Sequence, residues 1–201
     1  MDRNAIVLRL PRDLLQHPSP EVRARAIKLF ATGPDATILS EIKQMLQDEN
    51  TEVQAQAINA ACAIFKGEAI AVVRPYVESK DVHVKTRAVE CLLRHGDAVV
   101  REMALKSIQK MVYDNSAEGE QGRAEACRLM GEVYQPEFSA HLDKLIREDS
   151  STHVIHKAMA AAGKRKYPEV VGQIVSRLGR KDTRGRAREA FVAGPDLFPS
   201  Y

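Results

Sequence analysis

The 201-residue chain contains no tryptophan, and aromatic residues make up only 5% of it, although 44% is hydrophobic. Its core must therefore be built from Ala, Val, Ile and Leu, and few rings are left on which nucleic-acid bases could stack. Cysteine is also scarce. Cys62, Cys91 and Cys127 fall at apolar phases of helical stretches, and an odd number cannot pair off. They read as buried, reduced thiols in an intracellular, cytoplasmic setting. No run approaches the roughly 18 apolar residues of a membrane helix, and a start carrying Asp2, Arg3, Arg9, Arg12 and Asp13 is not a signal peptide. No glycine-rich phosphate loop or serine nucleophile motif is present. Of the six histidines only His153 and His156 pair at i, i+3, with no third ligand near in sequence except Asp149. Catalytic, cofactor-binding and metal-binding residues are accordingly assigned as none.

What the chain does have is a repeat. Ala26 recurs as Ala57, Ala88, Ala126, Ala158 and Ala190, with spacings of 31, 31, 38, 32 and 32. In the first three copies it keeps the same apolar company: Val22, Ile27 and Phe30, then Val53, Ile58 and Ala61, then Val84, Val89 and Leu92. A period of about 30 to 45 residues marks stacked supersecondary units, none able to bury its apolar face alone.

Twelve, sixteen and twenty residues after each anchor alanine lies a second apolar set. It comprises Ile38, Ile42 and Leu46; Ala69, Val73 and Val77; Val100, Ala104 and Ile108; Phe138, Leu142 and Ile146; Val170, Ile174 and Leu178. An i, i+4, i+8 spacing is one stripe of a helix, so each unit is predicted to be two amphipathic helices. Start signals precede the first helix: Ser19 before Pro20, Thr51 with Gln54 as a capping box, Asp81, Ser151 with Thr152, and Asp182 with Thr183. Turn residues separate the two helices at Thr32-Gly33-Pro34-Asp35, Lys66-Gly67, His95-Gly96-Asp97 and Tyr167-Pro168.

The segment Leu15-Gln16-His17-Pro18-Ser19-Pro20-Glu21-Val22-Arg23-Ala24-Arg25-Ala26 resembles the opening of a HEAT repeat, as do Leu46-Gln47-Asp48-Glu49-Asn50-Thr51-Glu52-Val53 and Asp81-Val82-His83-Val84-Lys85. The resemblance runs over almost the whole chain and implies an all-α fold, an α-solenoid of five to six stacked antiparallel helix pairs. The arginine usual after the first apolar position is kept as Arg23 and replaced by Gln54, Lys85 and Ile155, with Arg123 in a shifted context. The fourth and sixth copies carry Gly122 and Arg186 where valine is usual. HEAT-like hydroxylases hold iron through His-Glu pairs, and no His-Glu dipeptide occurs here; HEAT-like DNA glycosylases use tryptophan, which is absent.

Two irregularities bear on organisation. The spacing of 38 places extra residues at 113–121, read as a longer polar turn that is either a surface insertion or a contact loop. Pro11 and Pro75 fall inside second-helix stretches, where the helix must bend or restart. Residues 4–17 read as a lone second helix, and the sixth unit stops after its first helix. Since neither end carries a polar cap, residues 1–201 are read as a single solenoid domain excised from a longer chain.

Charge is uneven. Between residues 164 and 188 stand Lys164, Arg165, Lys166, Arg177, Arg180, Lys181, Arg184, Arg186 and Arg188 against Glu169 and Asp182, a local net charge of +7 in a chain of net +3. This cluster is the candidate surface for a phosphate-bearing partner, an acidic membrane or nucleic acid; the alternative is a solvated face. The function read from all this is a non-catalytic scaffold that binds a protein partner and needs no cofactor. Two alternatives stand beside it. Arg184-Gly185-Arg186-Ala187-Arg188-Glu189-Ala190-Phe191 and the Gly-Pro-Asp turn after it resemble HEAT segments of bacterial ATP/ADP translocase-type transporters, implying a cytosolic regulatory domain. The other is a nucleic-acid-acting or lyase-type HEAT-like enzyme.

Overall fold

A computed structural model describes residues 12–32, 36–116 and 118–193. The expectations placed on residues 4–11, on the turn at 33–35 and on the turn at 194–196 lie outside the described residues. The described chain is helical with no strand: α1 (Pro20–Thr32), α2 (Leu39–Met45), α3 (Thr51–Phe65), α4 (Ile70–Val73), α5 (Val82–His95), α6 (Ala98–Val112), α7 (Gly119–Glu132), α8 (Phe138–Glu148), α9 (Thr152–Arg165), α10 (Val171–Leu178) and α11 (Arg184–Ala193). It is an α-solenoid of helix pairs, and it packs as two compact units, Met1–Leu105 and Lys106–Tyr201.

Within the first unit the first helices α1, α3 and α5 lie side by side; within the second, α7, α9 and α11 do. The second helices pack against them, α2 on α3, α8 on α9 and α10 on α11. The anchor alanines form the seam. All six are at most 2% exposed, because only a methyl-sized side chain lets neighbouring first helices approach at every repeat. The second stripe is buried at fourteen of its fifteen positions; Leu178, in the last pair, is half-buried.

The helix starts divide. Asp81 and Ser151 accept from the Val84 and Val154 amides at 3.0 and 3.3 Å, and Ser19 accepts from Val22 at 3.4 Å. Thr51, expected to cap α3, is instead its first helical residue. Asn50 caps it, taking the Glu52 and Val53 amides, and Gln54 reaches back to the Asp48 carbonyl at 2.7 Å. Nor does Asp182 cap α11: its carboxylate pairs with Arg180, and the buried Thr183 hydroxyl donates to the Arg177 carbonyl at 3.1 Å.

Pro75 resolves as a restart. The second helix of the second repeat is a short α-turn, α4, between two 3-10 turns, Lys66–Ala69 and Arg74–Glu78, with Pro75 near the start of the latter. The same break bears on membrane crossing. Taken as one helical run, Thr51–Glu78 is 28 residues and holds an 18-residue window with a mean hydropathy of 1.3, long and apolar enough by length and composition. It is not one rod. Lys66 has φ 49° and reverses the chain, which leaves α3 with 15 residues where a bilayer needs about 20. Its apolar residues Val53, Ala57, Ile58, Ala61, Ala69, Val73 and Val77 are repeat core.

Arg123, which seemed out of register, is not. It stands three residues before Ala126 as Arg23 stands three before Ala26, and both do the same work. Arg23 clamps Asp48 with two bonds of 2.8 Å and donates to the His17 and Pro18 carbonyls. Arg123 clamps Asp149 at 2.7 Å and donates to the Asp114 and Ser116 carbonyls. Each aspartate in turn receives the amide two residues on, Asn50 or Ser151. The polar turn at 113–118 is thereby held down by Arg123. The valine missing at Gly122 is made up by Met111, whose side chain lies against it.

The clamp makes a prediction in acid. Burial works to raise the Asp48 pKa, but hydrogen bonds from Arg23 and the Asn50 amide outweigh it and hold the carboxyl below 3.8. A folded-state pKa below the unfolded one adds stability above 3.8, and that stability disappears as pH falls through and below it. Asp48→Asn should therefore lose least relative to wild type in the most acid samples of a denaturation series run from roughly pH 5 to 2. A deficit that stays constant across that range would refute the clamp's electrostatic role.

Candidate functional site

The nine cations between residues 164 and 188 do not form one surface. Lys164 donates to the Glu132 carboxylate at 2.7 Å, and that bond, ahead of an opposing desolvation, pulls the carboxyl below its usual range. Arg165 donates to the Gly131 carbonyl at 2.8 Å and to that of Glu132, covering the bare end of α7. Arg177 is only 6% exposed and does the same for α8, donating to the Ile146 carbonyl and, at 3.0 Å, to that of Arg147; burial pushes its pKa down. Lys166 takes the left-handed position that ends α9. Arg180 pairs with Asp182 at 3.2 Å, and Arg186 with Glu189 at 2.5 Å. Lys181, Arg184 and Arg188 are exposed and have no ion-pair partner among the described residues. A count of charge does not reveal that carbonyls at helix ends consume Arg165 and Arg177.

A second surface lies in the same unit, along α8. Tyr113, at the end of α6, is 50% exposed. The Lys144 ammonium sits 5.3 Å from its ring centroid and the His141 ring meets it edge-on at 5.8 Å, so the phenol is held in place while facing outward. With Ser139, Asp143, Lys144, Arg147 and Glu169 it lines an open groove of about 580 Å³. The charges are mixed: Arg147 bridges Asp143 at 3.3 Å, and Lys144 bridges Glu148 at 3.2 Å. His141 is half-buried, and burial holds its pKa below 6.5 against the opposing pull of Glu137. Its Nδ1 is enclosed with no hydrogen-bond partner among the described residues. The signal for this surface was present in the sequence as the start of the polar turn, but the pairing of Tyr113 with residues about 30 positions later was not.

The histidines His153 and His156 serve different ends. His153 lines a shallow cleft with Glu118, Glu120 and Lys157, whereas His156 Nε2 lies 3.1 Å from the Asp182 carbonyl. Among the described residues no group of three side chains is placed to hold a metal ion.

Stacked helix pairs with this register define the class of α-helical repeat proteins. A family model described as HEAT repeats matches residues 9–92 and again 42–119, together more than half of the chain, and the chain belongs to that family. Among curated proteins nothing matches. Among solved structures, an engineered protein is similar over 98% of this chain and 100% of its own, at 16% identity and a TM-score of 0.50, which bears on the fold alone. Human deoxyhypusine hydroxylase in complex with glycerol matches at 12% identity and a TM-score of 0.40, over 92% of this chain and 83% of its own. A designed armadillo repeat protein in complex with the peptide (KR)4 matches at 16% identity and 0.44, over 92% and 98%.

Proposed function

We propose that this chain is a non-catalytic, cytoplasmic HEAT-repeat interaction module that receives an extended segment of a protein partner in the groove along α8. The observation that carries the reading is Tyr113: a half-exposed aromatic fixed by Lys144 and His141 at the mouth of a groove with charges of both signs. Rigid, amphipathic rings of this kind supply contact area at little entropic cost and dominate interface energies. Peptides selected from a displayed random library against the full chain should depend on the groove, and Tyr113→Ala should weaken them by roughly tenfold or more. Selected peptides that bind Tyr113→Ala and Lys144→Glu as tightly as wild type would end the proposal.

A second reading rests on Lys181, Arg184 and Arg188, the cations that the fold leaves unspent at the start of α11. They would draw an anionic surface, an acidic membrane or nucleic acid. Changing all three to Gln should then abolish binding to anionic vesicles or duplex DNA and flatten its dependence on salt. If the unmutated chain shows no salt-sensitive binding to either near physiological ionic strength, these residues are a solvated face.

A further inference from the structure

The three cysteines were expected to be alike, and they are not. Cys127 and Cys91 are buried, but Cys62 is half-buried and partly open to solvent, and all three are free. Cys62 on α3 and Cys91 on α5 face each other across the seam between the first helices of adjacent repeats. Both line an open cleft of about 200 Å³, together with Asn59, Arg87, Arg94 and His95.

The repeat register brings the pair together. Cys62 lies five residues after its anchor alanine and Cys91 three after the next one. In the second unit the same two positions are Gly131 and Ala161, where a Cβ on the glycine would stand 3.3 Å from that of the alanine. A disulfide joins Cβ atoms about 3.5–4.5 Å apart, a range that this register reaches once the two helices separate by a few tenths of an ångström.

We propose that Cys62 and Cys91 form a peroxide-sensitive dithiol, in which Cys62 meets the oxidant and Cys91 closes a reversible disulfide that ties α3 to α5.

The two sulfurs are suited to unequal roles. The Cys91 thiol hydrogen-bonds to Cys62 and lowers the Cys62 pKa; burial and the Glu90 carboxylate oppose this, and Arg94 assists. That hydrogen bond, with burial, raises Cys91. Glu90 is itself bridged by Arg94 at 3.0 Å and by Arg87 at 3.5 Å, which moderates its repulsion of a thiolate. His95 is held below 6.5 by burial, Arg94 and Lys66, and so adds no charge at neutral pH. Cys127 is an internal contrast, its thiol driven up chiefly by burial. A thiolate that is accessible and stabilised is the form that reacts with peroxide.

In the first step the Cys62 thiolate attacks one oxygen of hydrogen peroxide. The O–O bond breaks, hydroxide departs and takes up the proton that the thiol released, and a sulfenic acid and water result. The Cys91 sulfur then attacks the Cys62 sulfur, the S–O bond breaks, and hydroxide leaves with the Cys91 proton as a second water. Two thiols have lost two electrons and two protons, and one peroxide has become two waters.

The test is to treat the full chain with hydrogen peroxide, alkylate it under denaturing conditions and map it by mass spectrometry. The expected product is a Cys62–Cys91 cross-linked peptide that dithiothreitol reverses, with Cys127 still alkylatable. In the folded chain Cys62 should react with iodoacetamide roughly tenfold or more faster than Cys127. Cys91→Ser should leave Cys62 as a sulfenic acid that dimedone traps, and Cys62→Ser should leave Cys91 unoxidised. The proposal is overturned if all three thiols survive peroxide, if the bond joins Cys127 or two chains, or if Cys91→Ser gives no dimedone adduct.

Discussion

Arg123→Met is expected to cost about 3–5 kcal/mol of folding stability, the largest effect of any single substitution considered for this chain. The side chains of Arg123 and Asp149 are only 6% and 4% exposed, so the carboxylate left behind would be buried without its partner. Two further groups lose their donor, the Asp114 and Ser116 carbonyls of the polar turn. The equivalent Arg23 clamp is wetter, at 13% and 7%, and Arg23→Met should cost less. Buried ion pairs are poor sources of net stability but heavy losses when halved. Arg123→Met with Asp149→Asn should therefore recover most of the deficit, because an asparagine oxygen can still accept the Ser151 amide now held at 2.8 Å. Urea denaturation of the two single variants and the double variant measures this cycle. Strictly additive losses would show that the clamp is not a unit.

Periodicity made the architecture readable in advance. The anchor alanines and the second stripe are core because period and burial are the same physical fact in stacked amphipathic helices, and six copies in phase leave little freedom. Local capping was less legible. Thr51 and Asn50 are adjacent and both can accept an amide, and only backbone geometry decides that Asn50 does. Surface function was least legible. The basic cluster was visible as composition, yet whether a cation is free depends on carbonyls and carboxylates some 30 residues away, as Arg177 on Ile146 and Lys164 on Glu132 show. The thiol pair was hidden for a related reason. Cys62 and Cys91 look equally apolar in phase, and only the offset between neighbouring first helices places one at the surface and the other beneath it.

Gly163→Val is expected to undo the docking of α11 on α9, at a cost near the upper end of the overpacking range, about 3 kcal/mol. A Cβ at Gly163 would stand 2.5 Å from the Ala190 carbonyl oxygen and 3.0 Å from its Cα. Both are backbone atoms of the last anchor residue, which no rotamer change can move aside, and valine adds two more carbons to the collision. The contact exists only because glycine at 163 faces alanine at 190, so the final first helix sits closer than any side chain at 163 would allow. Gly131 supplies the comparison. A Cβ there meets Ala161 at 3.3 Å, a tight fit that a shift of a few tenths of an ångström relieves, and alanine gains about 0.5–1 kcal/mol over glycine inside a helix. Gly131→Ala should therefore be close to neutral, while Gly163→Val should expose the amides of α11 to hydrogen exchange and leave those of α7 protected. Equal losses in both variants, or unchanged protection of α11, would show that the seam does not depend on this approach.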